Sequence, residues 1–223
     1  MNNFIFKNIN SDTKNIIVNE LPSIIKAPMR TETIEIDGRD GCIIIEKGYS
    51  SYVKTVAITT RHETDLEDLF DWLNGYGEAI FSNELSRVYR ANIINQIELK
   101  RLLKYRTATI EFLVQPYKYD IQNGKTAQSN PSIIINEGNV ISLPSFVING
   151  TGSCILTIND KNIELNVDTK LTIDTEKYRV LDKDSALAGN RMVGEFPTLK
   201  VGENTISWTG NFTVEVVKNQ RWL

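Results

Sequence analysis

Cys154-Ile155-Leu156-Thr157-Ile158-Asn159-Asp160-Lys161-Asn162-Ile163-Glu164-Leu165-Asn166-Val167 holds two apolar, β-branched runs around a polar turn. Runs this short, split by Asn, Asp and Lys, predict a β-hairpin rather than a helix. The same rhythm recurs on both sides. Ser132 to Asn136, Phe146 to Asn149, Lys170 to Ile173, Thr205 to Trp208 and Phe212 to Val217 are further strand-like runs, and Thr209-Gly210-Asn211 is a second turn. Regular short strands with no helical stripe predict an antiparallel sandwich for this part of the chain.

Upstream the pattern is mixed. Thr31 to Asp37 alternates, with Ile34 and Ile36 on one face and Thr33, Glu35 and Asp37 on the other. The chain then turns through Asp37-Gly38-Arg39-Asp40-Gly41, where Gly38 and Gly41 permit positive φ. Cys42 to Glu46, Ser51 to Thr60, Ser86 to Ile97 and Tyr105 to Gln115 read as strands rich in β-branched and aromatic residues. In the second of these, Tyr52, Val56 and Ile58 share one side.

One helix is predicted, over about 64–74. Thr64-Asp65-Leu66-Glu67 is a capping box, with the Thr64 hydroxyl and Glu67 carboxylate satisfying free amides at the helix start. Leu66, Leu69, Phe70 and Leu73 form the apolar stripe, and Gly75 suits the left-handed position that ends the helix. Trp72 falls out of phase with that stripe and is expected to be partly exposed. Beside Tyr76 it is either a subunit contact or a rim residue packing within its own domain.

The polar stretch Gln122 to Pro131 contains an Asn-Gly pair and no periodicity, which places a boundary there. The expected division is an N-terminal domain over 1–123, a linker over 124–130 and a C-terminal sandwich over 131–223.

The 223 residues carry 25 Lys plus Arg against 28 Asp plus Glu, a net charge of -3. Residues 1–123 hold 15 basic and 17 acidic side chains, and residues 124–223 hold 10 and 11. That balance excludes a nucleic-acid binder relying on a basic field over the whole molecule. One histidine, His62, leaves little room for zinc chemistry or a hydrolytic triad, and its place ahead of the helix suits a cap or surface role. Cys42 and Cys154 are read as reduced thiols rather than a disulfide. Gly150-Thr151-Gly152-Ser153 departs from G-x-S-x-G and reads as a turn before a strand. The carboxylate pairs Asp168 with Asp174 and Asp182 with Asp184 could face each other in a glycosidase, but exposed strands and turns carry such residues routinely. No apolar run approaches the roughly 20 residues of a membrane span, and the N-terminus has no apolar core of a signal peptide. No catalytic, cofactor-binding or metal site is expected.

Between Glu84 and Arg106 lie Arg87, Arg90, Lys100, Arg101, Lys104 and Arg106 against two carboxylates, interleaved with Tyr89 and Tyr105. The readings are single-strand binding, a solvated strand face, or a salt-bridge rim between subunits, and the last two are preferred.

Taken in order, Ile34-Glu35-Ile36-Asp37-Gly38-Arg39-Asp40-Gly41, Trp72-Leu73-Asn74-Gly75, Tyr89-Arg90-Ala91-Asn92 and Ile110 to Pro116-Tyr117 resemble the N-terminal half of the distal tail (Dit) proteins of long-tailed phages of Gram-positive hosts. Gly194-Glu195-Phe196-Pro197-Thr198-Leu199, the run Gly202 to Gly210 around Trp208, and the ending Arg221-Trp222-Leu223 resemble the second half.

The resemblance implies a mainly β chain: a tail-tube-like sandwich or barrel with one helix, then a galectin-like antiparallel sandwich with Pro197 fixing an apolar edge and Trp208 in its core. It implies a non-enzymatic homohexameric ring at the distal end of a virion tail, assembled in the bacterial host cytoplasm. Its partners would be the tail tube protein, a tail tip, lysin or fibre protein, and a receptor-binding protein on the C-terminal domain, with DNA only as transiting cargo. The interface candidates are Trp72, Tyr76, Arg87, Tyr89, Arg90, Arg101 and Arg106. The alternative is a carbohydrate-binding adhesin module on the C-terminal sandwich. Galectins grip galactosides with His, Asn and Arg opposite a stacking Trp, and residues 124–223 contain no His.

Overall fold

A computed structural model describes residues 2–61, 64–102 and 105–223. His62 and Lys104 lie outside the described residues, and Arg101 is placed by its backbone alone. The chain divides into two compact units, 2–121 and 122–222. It is mainly β with one short α-helix.

The N-terminal unit contains β1 (Phe4–Phe6), β2 (Ile9–Asn10), a 3-10 turn (Ser11–Lys14), β3 (Ile16–Glu20), β4 (Met29–Glu35), β5 (Cys42–Tyr49) and β6 (Tyr52–Arg61). The helix α1 (Leu66–Trp72) follows, then β7 (Gly75–Phe81), β8 (Arg87–Ile93), β9 (Lys100–Leu102) and β10 (Tyr105–Asp120). The main sheet runs β2-β1-β7-β8-β10-β6-β3, with β9 also on β10. Its two edge strands, β2 and β3, are neighbours in sequence and are joined by the 3-10 turn. A sheet whose first and last strands are joined this closely must curl strongly, which blunts its open edges. Phe4, Phe6, Phe81, Tyr89 and Phe112 fill the inside of the curl, and Phe112 meets Phe4, Phe6 and Phe81 edge to face at 5.5–5.6 Å.

Strand β10 runs five residues past its predicted end at Gln115. Its register on β8 jumps between Val114 and Lys118 while β8 advances only from Ala91 to Tyr89, so the extra residues bulge around Pro116. A bulge is where a residue with no N–H fits inside a paired strand.

The helix is capped one residue later than the sequence suggests. Asp65, not Thr64, is the N-cap: its carboxylate accepts from the Glu67 and Asp68 amides at 3.0 and 3.3 Å. The Thr64 hydroxyl is buried without a hydrogen-bond partner among the described residues. Both residues favour the cap position, and the carboxylate adds its charge to the positive end of the helix. The buried face is also rotated. Leu69, Trp72 and Leu73 are buried and Phe70 is exposed. In seven residues either choice gives an apolar stripe. The selection falls to Trp72, which stacks on Phe4 at 5.5 Å and donates its indole N–H to the Phe6 carbonyl at 2.9 Å.

The C-terminal unit comprises β11 (Thr126–Gln128), β12 (Ser132–Asn136), β13 (Ser145–Ile158), β14 (Lys161–Asp174), β15 (Arg179–Leu181), β16 (Met192–Val193), β17 (Gly202–Trp208) and β18 (Thr213–Val217). Residues 126–128, expected in a linker, form β11 and pair with β18. Residues 150–153, expected as a turn, lie inside β13, which pairs with β14 without a break from Ser145↔Asp174 to Ile158↔Lys161. Gly150 and Gly152 hold positive φ, and so does Thr169 opposite Gly150. These residues mark a bend in one long hairpin. Below it β13 pairs with β18, above it with β17. The hairpin therefore serves both layers, β11-β18-β13-β14-β15 and β12-β17-β13-β14-β16. Between them lie Phe146, Ile148, Leu156, Ile163, Leu171, Val214 and Trp208. Pro197 is buried, its carbonyl accepting from Thr175 Oγ1 at 2.9 Å, and Leu199 bridges to Ser142.

Candidate interaction surface

Strands β4 and β5 form a separate two-stranded sheet that pairs with no other strand among the described residues. Every residue from 28 to 48 is exposed, so the hairpin stands out from the N-terminal unit as an arm. Its tip turns on Gly38 and Gly41, both at positive φ. The register Ile34↔Ile43 and Glu32↔Ile45 puts Glu32, Ile34 and Ile36 on one side with Ile43, Ile45 and Lys47. Thr31, Thr33, Glu35, Cys42, Ile44 and Glu46 take the other. On the first side four isoleucines stand 37% to 45% exposed, with one ion pair, Lys47 to Glu32 at 2.7 Å, at the base.

A two-stranded ribbon is marginal by itself in water. This one displays its apolar side instead of folding it inward, and nothing in its own chain covers that side among the described residues. Such a face makes the arm a candidate interaction surface. The sequence carried the alternation of Ile34 and Ile36. What it lacked was any sign that the face looks outward, because a core strand has the same period.

The basic stretch does not converge. Arg87 and Arg90 sit on β8, Arg87 opposite Asp120 and Arg90 with its guanidinium 4.0 Å from the Tyr119 ring. Arg101 and Arg106 face each other across β9 and β10 at the far end of β10. Along β10 the two pairs are separated from Arg106 to Tyr119 and Asp120, at most roughly 45 Å of strand. Of the aromatic candidates, Tyr76 is exposed, whereas Trp72 and Tyr89 are buried and cannot present a surface. For Tyr89 the reason is a buried polar cluster that the sequence reading missed.

That cluster joins β6, β8, β10 and the β7–β8 turn. Glu84 accepts from Lys118 Nζ at 2.7 Å and from the Tyr89 hydroxyl. Lys54, 2% exposed, donates to the Ser23 carbonyl at 2.8 Å and lies over the Tyr89 ring at 4.8 Å. Burial pushes the Lys54 ammonium down to about 8 and the Tyr52 phenol, also facing Glu84, up to about 12. Burial and the bond to Glu84 push Tyr89 up as well. The signal was present: Lys54 has the strand parity of Tyr52, Val56 and Ile58.

The carboxylate pairs do not face each other. Asp168 lies 3.8 and 3.9 Å from Arg191 and Lys183, Asp174 bonds Arg179, and Asp182 accepts from the amides of its own turn. Asp168 and Asp174 are six residues apart on β14, about 20 Å. Among the described residues no group of His, Cys, Asp and Glu could hold a metal, and no helix is long and apolar enough to cross a membrane. Cys42 is exposed and Cys154 buried, both free, with burial raising the Cys154 thiol.

No protein-family model and no curated protein matches this sequence. Solved structures do. The crystal structure of the phage SPP1 Dit protein (gp 19.1), described as a paradigm of the hub adsorption apparatus in phages infecting Gram-positive hosts, is similar over 100% of both chains at 15% identity, with a TM-score of 0.80. The chain has the Dit fold. A baseplate structure of phage P2, in its activated conformation with Ca, is similar over 96% of this chain and 97% of that one, at 9% identity and a TM-score of 0.53. Within this Dit fold Trp208 is a core residue: it is 8% exposed and its indole N–H donates to the Phe212 carbonyl at 3.0 Å. It offers no open ring on which a sugar could stack.

Proposed function

We propose that this chain is the distal tail, or baseplate hub, protein of a long-tailed phage, a prophage or a phage-tail-like particle. Six copies form a ring that joins the tail tube to the tip and receptor-binding apparatus, and DNA passes through its channel. The single observation that carries this reading beyond fold likeness is the arm, whose isoleucine face needs a partner. A closed ring is built on heterologous contacts, so each subunit must offer one patch and receive a different one. A projecting hairpin supplies the first kind. Copies of this chain are the natural recipients, because ring closure places an identical neighbour beside every arm.

The chain acts by assembly and not by catalysis. Its N-terminal unit forms the ring and its C-terminal unit is the platform for a fibre, lysin or receptor-binding protein. Arg87, Arg90 and Arg106 with Tyr76 are candidate rim residues. At a net charge of -3, DNA is cargo and not a ligand. The adhesin alternative loses its main support with Trp208 buried.

Native mass spectrometry and negative-stain imaging of the purified chain, alone at high concentration and with its neighbouring tail protein, test this. Closed hexamers are expected. Monomers under both conditions reject the ring.

A further inference from the structure

Between β3 and β4 the chain crosses from the sheet to the arm through residues 21–28, bracketed by Pro22 and Pro28. This strap belongs to no strand, and among the described residues none of the amides of 21–27 bonds another backbone group. Leu21, Pro22 and Ala27 pack on the N-terminal core at its two ends, while residues 23–26 between them are exposed. A cleft of about 240 Å³ runs beneath it, lined by Leu21, Pro22, Ser23 and Ile25 on one side and Val53 and Lys54 on the other. Ile24 and Ile25 are exposed.

Two side chains reach the strap's carbonyl groups. Lys54 Nζ rises from β6 to the Ser23 oxygen at 2.8 Å, and Asn83 Nδ2 comes from the β7–β8 turn to the Pro22 oxygen, also at 2.8 Å. Beyond them Ala27 is buried, and the Ser50 amide closes the base of the arm on the Pro28 carbonyl at 2.8 Å. The arm's other root is different. Tyr49 packs against Tyr117 at 6.2 Å, and β6 begins three residues later. One root of the arm is thus continuous with the sheet, and the other is packed at Pro22 and Ala27 with an exposed stretch between them held by two side chains beside a cleft.

We propose that residues 21–28 are a latch for the arm: Lys54 from beneath and Asn83 from the side hold its carbonyls, and removing either grip frees the arm's root while the sheet stays intact. An exposed stretch with few backbone bonds, as residues 23–26 are, lies at the low end of local stability, so its opening is set by the bonds that remain. Both grips come from positions that also touch the buried cluster, since Lys54 lies on Tyr89 and Asn83 precedes Glu84. The latch therefore ties the arm to the packing of β6, β8 and β10.

The test is limited trypsin digestion of the full chain, following cleavage after Lys26 by the mass of the released N-terminal fragment. Cleavage of a transiently opened segment tracks the population of the open form. Asn83→Ala, an exposed position, and Lys54→Met are each expected to raise the rate of this cut about tenfold, with hydrogen exchange of β10 unchanged in Asn83→Ala. Cleavage of folded Asn83→Ala at the wild-type rate overturns the latch, whatever Lys54→Met does. The consequence for assembly rests on the arm being the ring contact, but the cleavage test does not. A latch that opens in a chain that never forms rings would reject the ring and keep the latch.

Discussion

Trp72 and Phe6 are joined by a hydrogen bond from indole to backbone carbonyl, 2.9 Å long, between the α-helix and the first strand. The bond closes a contact over 66 positions of sequence and lets a tryptophan enter the core with its one polar atom satisfied. Trp72→Ala should cost about 3–5 kcal/mol of stability, as expected for emptying a large aromatic site. Trp72→Phe keeps most of the volume but leaves the carbonyl unpaired, and should cost about 1–3 kcal/mol. Urea denaturation followed by far-UV circular dichroism measures both. A loss under 1 kcal/mol for the alanine variant would mean that the helix does not seal this core.

The arm predicts the opposite profile. Ile34 and Ile43 face each other across the hairpin and are exposed, so replacing both with Asp should change stability by no more than about 1 kcal/mol. The same change puts two charges on the proposed contact and should abolish rings. Thermal melts paired with native mass spectra separate the effects. Rings that persist in the double variant would show that the arm is not their contact.

Lys54 and Tyr52 give a pH signature. Burial holds the Lys54 ammonium at about 8, against the attraction of Glu84 and with Lys118 pushing the same way. Its folded pKa lies below the unfolded value near 10.5, so its contribution is favourable above pH 10.5 and is lost as pH falls through 8. Tyr52, raised by burial to about 12, contributes fully below pH 10 and loses that contribution as pH rises through 12. The two together place their best pH near 10. From pH 7 to pH 10 the Lys54 component is up to about 3 kcal/mol. Denaturation of the wild type and Lys54→Met at both pH values should show this rise in the wild type alone. An equal rise in both proteins removes Lys54 as its source.

Gly150 sits where a Cβ would meet the Phe212 ring at 2.3 Å, and its φ of +149° suits only glycine. Gly150→Ala should therefore destabilise the C-terminal unit by about 2–4 kcal/mol. Adding Phe212→Leu, which clears the ring, should recover part of that loss. Calorimetry of the single and double variants reads the coupling, and simple additivity would show that the ring is not what the glycine accommodates.

Much of the strand set is legible in the sequence because alternation survives wherever one face is buried. Ser132 to Asn136 matches its strand end for end. The short N-terminal strands are not legible: Phe4-Ile5-Phe6 is too short to show a period, and its role as the wall against Trp72 is purely tertiary. The helix is legible in place but not in rotation, since seven residues carry two candidate stripes and one long-range hydrogen bond selects between them. Gly150 reads as a turn because nothing local tells a bend inside a strand from the end of one. The exposed arm and the buried cluster share a cause. Each depends on which side of a strand another element covers, and periodicity assigns sides without saying what lies on them.

The bent hairpin of β13 and β14 has a kinetic corollary. Because one pair of strands belongs to both layers, neither layer can form ahead of the other, and the hairpin is the shortest-range pairing either contains. Closing the two-residue turn at Asn159 and Asp160 should nucleate the C-terminal unit, with β17 and β18 condensing onto opposite ends of an already zipped ribbon.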